Sequence, residues 1–358
     1  MLTALKIKNL TVFPSAEFEF GKNLNVMVGE NGSGKSHILK AAYCAMSVNA
    51  KMSKGSASDK DTFATALAEK LLNVFRPDEL GRLARRRQGR AACHIGYQFD
   101  NDLFDLSVSF NTSSKGKVTV KQLPVRWEQK HPVFIPTREL LTIYPGFVSL
   151  YETTYLPFEE TWRDTCVLLG APLARGPRES KIRKLLSPLE EAMGGTVEVT
   201  SGRFYLKLAS GTMEMHLVAE GLRKLAMVAR LIATGSLLDK GYLFWDEPES
   251  NLNPKIIKTV AKTILHIANS GIQVFIATHS LFLLRELHIL QKREFEGLDT
   301  RCFGLHIGKD GAVSVKQGSS MDEVGSIAAL DEDLQQSERY IDTETGAIGG
   351  DDSLPDED

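Results

Sequence analysis

The chain has 358 residues, 42% of them apolar, with a formal net charge of −2, so it can bury an ample core and exceeds one typical domain. No run of about 18 apolar residues occurs, which excludes a membrane-spanning helix, and the opening residues alternate like a strand instead of forming a secretion signal. Cys44, Cys93, Cys166 and Cys302 lie far apart without paired spacing and read as reduced thiols of a cytoplasmic protein.

In chain order, Leu5-Lys6-Ile7, Phe18-Glu19-Phe20 and Leu24-Asn25-Val26-Met27-Val28 read as short strands. The third runs into a glycine-rich turn. From 36 to about 48, Ile38, Leu39, Ala42 and Ala45 recur at helical spacing, giving strand, loop, helix. Residues 49–61 read as a flexible loop, and 62–90 as a helical segment broken at Pro77. Alternation returns from 91 to about 121, turning at 111–116, as in a hairpin or small sheet. Residues 134–195 read as mostly helical, interrupted by Pro145, Pro157, Pro172 and Pro177. A second hairpin or meander follows at 196–216, with turns near Ser201-Gly202 and Ser210-Gly211.

A long helix then begins near Ala219 and runs through Leu222, Leu225, Val228 and Leu231. Tyr242-Leu243-Phe244-Trp245-Asp246 and residues 272–277 read as buried strands around a helix at 255–268. Such alternation implies an α/β fold with a parallel sheet covered on both faces. From Asp331 onward the chain is polar and acidic, with Arg339 as its only base, so disorder is expected.

Gly29-Glu30-Asn31-Gly32-Ser33-Gly34-Lys35-Ser36 matches GxxxxGK[ST] after an apolar strand and before a helix, the context the motif requires. The glycines let successive N–H groups turn inward around phosphates, and the helix start adds positive charge. Lys35 is expected to reach the terminal phosphates of ATP and the Ser36 hydroxyl to ligate Mg2+.

Asp246 and Glu247 close a very apolar strand, the edge where α/β sheets place ligand chemistry. Asp246 is expected to hold Mg2+ and Glu247 to orient or deprotonate an attacking water. The alternative is that the two acids begin a solvent-exposed turn. Thr278-His279-Ser280 ends the next apolar strand. His279 is either a contact for the γ-phosphate or a structural histidine.

Taken in order, the phosphate loop, Asp246-Glu247, Asn251-Leu252-Asn253-Pro254 and Thr278-His279-Ser280 resemble the signature of ABC-type AAA family ATPases of the SMC/RecF/OLD-like branch. The opening Leu5-Lys6-Ile7-Lys8-Asn9-Leu10 is similar to that branch's N-terminus, and the resemblance covers roughly 1–48 and 210–310. It implies a P-loop NTPase head with a mixed sheet core, an antiparallel β-subdomain and a helical insertion. The core is then 1–48 with 210–325, the insertion 49–209 and the acidic tail 331–358. It further implies a D-loop at 250–254 containing Asn251, a switch histidine at His279, and a signature helix starting at Ala219-Glu220-Gly221. In the family that helix start meets a γ-phosphate held by the opposite subunit, so a homodimer sandwiching two ATP molecules is implied. Free N–H groups at a helix start suit an anion. Ala219 stands where the family has a serine, which leaves the backbone, Arg223 or Lys224 to meet the phosphate. Phe134-Ile135-Pro136-Thr137-Arg138-Glu139 resembles a stretch of OLD-like relatives in which Arg138 or Glu139 senses the nucleotide; a structural Arg–Glu pair is the other reading.

The segment between Ser36 and Ala219 has no sustained heptads for coiled-coil arms, and only about 80 residues follow His279, too few for a nuclease domain. An effector is expected to be a separate protein. Arg82, Arg85, Arg86, Arg87 and Arg90 form a basic cluster that a helix would spread over more than one face. It serves either salt-sensitive DNA binding or a solvated face or interface with an acidic partner. The acidic tail either keeps the chain soluble or docks a partner and competes with DNA. The leading expectation is an ATP-hydrolysing sensor or regulator in DNA repair or phage defence. A transporter motor subunit and a nucleotide-gated scaffold with little turnover are the alternatives.

Overall fold

The computed structural model describes residues 1–55, 59–85, 91–176, 179–238 and 241–345. β1 (Leu2–Leu10) and β2 (Phe13–Glu19) form a hairpin, and β3 (Leu24–Gly29) leads into α1 (Lys35–Met52). After α2 (Lys60–Phe75) come β4 (Ala92–Phe99), β5 (Leu106–Asn111) and β6 (Thr119–Gln122). These extend the hairpin into an antiparallel sheet of order β2-β1-β4-β5-β6. β7 (Pro132–Ile135) precedes a helical stretch of α3 (Tyr144–Thr153), α4 (Glu160–Leu169) and α5 (Glu179–Met193). An antiparallel meander follows, β8 (Gly195–Thr200), β9 (Arg203–Leu208) and β10 (Gly211–Glu214). The chain closes with α6 (Glu220–Ala233), β11 (Tyr242–Asp246), α7 (Pro254–Asn269), β12 (Gln273–Thr278), α8 (Leu281–Glu294), the hairpin β13 (Thr300–Ile307) and β14 (Val313–Gly318), and α9 (Ala328–Thr345).

The central sheet has the order β14-β13-β3-β12-β11-β7, parallel throughout except for β14. It is the mixed sheet expected. Every residue of β3, β11 and β12 is buried, as a parallel sheet covered on both faces requires. The two-residue period sorts their side chains into two cores. Val26, Val28, Leu243, Trp245, Val274 and Ile276 pack with α6, α7 and α8. Met27, Phe244, Phe275 and Ala277 pack with α1, α2 and the antiparallel sheet. The buried Gln273 amide joins the sheets, donating to Leu2 O at 2.7 Å and Gly21 O at 2.8 Å.

Several expectations are corrected. α1 continues to Met52, so the loop is shorter than 49–61. Segment 49–209 shares both large sheets with the flanking chain, since β4 pairs with β1 and β7 with β11. The helix expected over 62–90 ends at Phe75, where Arg76 takes a left-handed conformation (φ 57°) just before Pro77. Arg82 therefore sits on a 3-10 turn, Leu80–Leu83. Arg85 is largely buried, its guanidinium donating to Val12 O and lying 3.8 Å from Asp310. Arg86, Arg87 and Arg90 lie outside the described residues.

Of the acidic tail, 331–345 belongs to helix α9; 346–358 lies outside the described residues. Acids in the first turn favour a helix start, Leu330 is anchored in the core, and Arg339 pairs with Glu332 at 2.8 Å. Among the described residues no helix is long and apolar enough to cross a membrane.

Candidate functional site

The parallel strands end level with one another. Val28 lies opposite Thr278, and Asp246 opposite Ala277. This register brings Lys35 and Ser36, Asp246 and Glu247, and His279 to one sheet edge although they are far apart in sequence.

The loop from Gly29 to Ser36 turns on Gly32 and Gly34, at φ 84° and 88°. Gly34 caps α1, which has no side-chain cap and no acid in its first turn. The start of an 18-residue helix thus presents its N–H groups without a capping side chain or acid of its own, a setting suited to phosphate. The Lys35 ammonium folds back onto Gly29 O at 2.7 Å and Glu30 O at 2.9 Å. Burial pulls it below the ordinary lysine value, against the opposing pull of Glu247, Asp246 and Glu249. The Ser33 hydroxyl is buried without a hydrogen-bond partner among the described residues. Glu30 and Asn31 are exposed on the loop.

Ser36 Oγ donates to Asp246 Oδ1 at 3.0 Å. Burial pushes the Asp246 carboxyl above its usual range, opposed by that hydrogen bond. A carboxylate short of solvation beside a hydroxyl fits Mg2+, which keeps water and phosphate oxygens in its shell and needs few protein ligands. Among the described residues no group of three His, Cys, Asp or Glu side chains forms a cage for a metal.

Glu247 adopts φ 44°, a left-handed conformation that costs a side-chain-bearing residue on the order of 1–3 kcal/mol. Its N–H is fixed by Ala277 O at 2.9 Å. Its carboxylate lies 3.5 Å from His279 Nδ1, close but not aligned as a hydrogen bond, since among the described residues that nitrogen has no hydrogen-bond partner. The expectation of a bare solvent-facing turn at Asp246-Glu247 does not describe this geometry.

Glu249 was not singled out by the sequence reading. It is 6% exposed and accepts from Thr278 Oγ1 at 2.6 Å and from the His279 N–H at 3.3 Å, anchoring the histidine's backbone. The third acid within 246–249 was the available signal.

Glu220, Gly221 and Asn251 come together, but against one another and not against the phosphate loop. Asn251 Nδ2 donates to Glu220 Oε1 at 3.0 Å. A β-carbon on Gly221 would stand 2.8 Å from Asn251 O. Gly221 and Asn251, with Ala219, Glu191 and Lys255, border an open cleft of about 810 Å³. Ala219 caps α6 without a side-chain bond.

Arg223 and Lys224 are both engaged within the chain. Arg223 Nη1 donates to Val218 O at 2.9 Å. Its Nε lies 2.8 Å from Glu139 Oε1, an ion pair by distance whose N–H is not aimed at the oxygen. Lys224 is 3% exposed and donates to Glu247 O at 2.6 Å and Ser250 Oγ at 2.5 Å.

β7 flanks β11, with Ile135 opposite Trp245, which sets residues 136–139 beside the acid-bearing strand end. Glu139 is buried and structural there, capping Leu141 N at 2.9 Å and pairing with Arg223 instead of Arg138, which is exposed. A concavity of about 820 Å³ on the outer face of the antiparallel sheet, bordered by Lys6, Lys8, His94 and Lys121, contains none of the motif residues.

A phosphate loop at the end of one buried parallel strand, with paired acids and a histidine ending the next two, defines a P-loop nucleotide-binding head. Two sequence-family models match, "AAA domain" over residues 4–122 and "AAA domain, putative AbiEii toxin, Type IV TA system" over 127–285. No curated protein sequence matches the chain. The fold is similar to the SMC head domain with an extended coiled coil bound to the C-terminal domain of ScpA, from Pyrococcus furiosus. Identity is 12% and the TM-score 0.51, covering 95% of this chain and 99% of that one. An SMC head bound to the C-winged helix domain of ScpA matches at 13% identity and TM-score 0.52, covering 90% and 98%. The chain thus matches AAA domains over these two stretches, and its fold is that of an SMC-type ATPase head.

Proposed function

We propose that the chain binds Mg-ATP at residues 29–36 and hydrolyses it, as a cytoplasmic sensor or regulator acting on a separate effector in a DNA-linked process such as repair or phage defence. The observation that carries the catalytic part is the meeting of Lys35, Ser36, Asp246, Glu247 and His279 at one sheet edge. Gly29, Glu30, Asn31, Gly32, Ser33 and Gly34 cradle the phosphates, and Lys35 leaves the Gly29 and Glu30 carbonyls to bind them. Ser36 and Asp246 hold the metal, which supplies charge neutralisation at the phosphate oxygens. Glu247 orients and deprotonates water, and His279 contacts the terminal phosphate.

The uncapped start of α6, open on a cleft beside Asn251 and Lys255, supports a homodimer in which Glu220, Gly221 and Asn251 meet the partner's nucleotide. The family match described with toxin–antitoxin systems and the SMC heads bound to ScpA support a separate protein effector. DNA binding by 82–90 keeps only Arg82 among its described residues, because Arg85 is engaged inside the chain.

Steady-state turnover with and without candidate DNA or effector is the test. Glu247→Gln is expected to lower turnover roughly 10²–10⁴-fold while nucleotide binding persists, and Lys35→Ala to abolish binding. Equal turnover in wild type and Glu247→Gln would reject hydrolysis at this site.

A further inference from the structure

Glu247 is held in its left-handed conformation from two sides, and the second contact comes from a residue outside the motifs. Its N–H bonds to β12 through Ala277 O, and its carbonyl accepts from Lys224 Nζ at 2.6 Å. The same ammonium donates to Ser250 Oγ at 2.5 Å and faces Ser250 O at 3.4 Å. Three N–H donors therefore meet three acceptors on one turn. Ser250 Oγ in turn reaches Thr137 O at 3.2 Å, beyond the end of β7.

Burying an ammonium is unfavourable unless its hydrogen bonds are satisfied, so a lysine that is 3% exposed marks a position where an apolar side chain could not do the same work. Glu249, Glu247, Asp246 and Glu220 all face it with attractive charge, yet burial still pulls Lys224 down to about 8. Its neighbour Arg223 ties α6 to Glu139, and Glu220 ties it to Asn251. α6 is thereby fastened to the segments on either side of the carboxylate.

We propose that Lys224 is a positioning residue for Glu247, fixing the turn 247–250 against α6 so that the Glu247 carboxylate stays aimed beside His279. This rests on the reading of Glu247 as the hydrolytic carboxylate. It also gives α6 a direct mechanical connection to that carboxylate, so a shift of the helix start is felt at the hydrolytic end of the site.

The test compares Lys224→Met, Lys224→Arg and the milder Ser250→Ala by two independent readouts. The first is hydrogen exchange of the 247–250 backbone in nucleotide-free protein, which is expected to lose protection in Lys224→Met and recover it in Lys224→Arg. The second is single-turnover hydrolysis. Lys224→Met is expected to slow it roughly 10- to 100-fold with ATP affinity unchanged within about twofold, and Ser250→Ala to slow it less. In a Glu247→Gln background Lys224→Met is expected to cost nothing further, because it acts through that carboxylate. Unchanged exchange at 247–250, or losses that multiply in the double variant, would overturn the proposal. If wild type bound ATP without Glu247-dependent turnover, the hydrolytic reading would fall, and the exchange data would still decide whether Lys224 holds the turn.

Discussion

Gly32 and Gly34 both have positive φ, yet the structure demands them for different reasons, and alanine substitution separates the two. A β-carbon at Gly32 meets nothing within 4 Å, so Gly32→Ala incurs only the left-handed strain, about 1–2 kcal/mol. At Gly34 the same atom would stand 2.7 Å from Phe13 Cε2 and from Val12 Cγ2. Phe13 is fully buried and braced edge-on against Phe18 at 6.0 Å, so it cannot swing into solvent. Overpacking adds about 1–3 kcal/mol to the strain. Urea unfolding without nucleotide is therefore expected to show Gly34→Ala less stable than Gly32→Ala by about 1–3 kcal/mol. Both variants are expected to bind ATP more weakly. Equal stability of the two would refute the close approach of the β1–β2 turn to the phosphate loop.

Lys70→Met removes the cation that bonds Asp164 at 2.5 Å and Glu160 at 3.0 Å across α2 and α4; Asp164 keeps Tyr43 and Arg163, so the loss is expected to destabilise the chain by about 1.5–3 kcal/mol in urea. His279→Ala is expected to slow turnover roughly 10²-fold or more with near-normal ATP binding in titrations. Lys224 titrates near 8 when folded against 10.5 ordinarily. Turnover is therefore expected to fall as pH rises through about 8, where one of its three donors is lost, and Lys224→Arg should keep its rate. Between those two values the unfolded chain holds more protons at this position, so its contribution to stability rises with pH, and Lys224→Met should flatten that rise in pH-dependent melting.

Much of this arrangement is legible in the sequence because local pattern and chemistry coincide there. The run from Leu24 to Ser36 announces a buried strand, a phosphate turn and a helix, and the apolar strands at 242–246 and 272–277 place Asp246, Glu247 and His279 at their ends. β7 was hidden because four residues, Pro132 to Ile135, have no period to read, and its strand character comes from pairing with β11. Proline is tolerated at such a sheet edge. The sequence offers Lys224 as a phosphate contact, whereas it bonds Glu247 O and Ser250, and it offers Glu249 as a residue type only. Their roles depend on a turn whose left-handed geometry at Glu247 and Asn251 no composition reveals. α9 was misjudged because acidity was weighed as a sign of disorder, whereas Leu330 anchors the helix and Arg339 offsets part of its charge.

The central claim is that residues separated by more than two hundred positions serve one triphosphate. A crystal structure of Glu247→Gln with Mg-ATP tests it most directly. The account predicts Lys35 Nζ on the terminal phosphates and off the Gly29 and Glu30 carbonyls, Ser36 and Asp246 at the metal, and His279 beside the γ-phosphate. Nucleotide seated elsewhere, with Lys35 still bonded to its own loop, would contradict it.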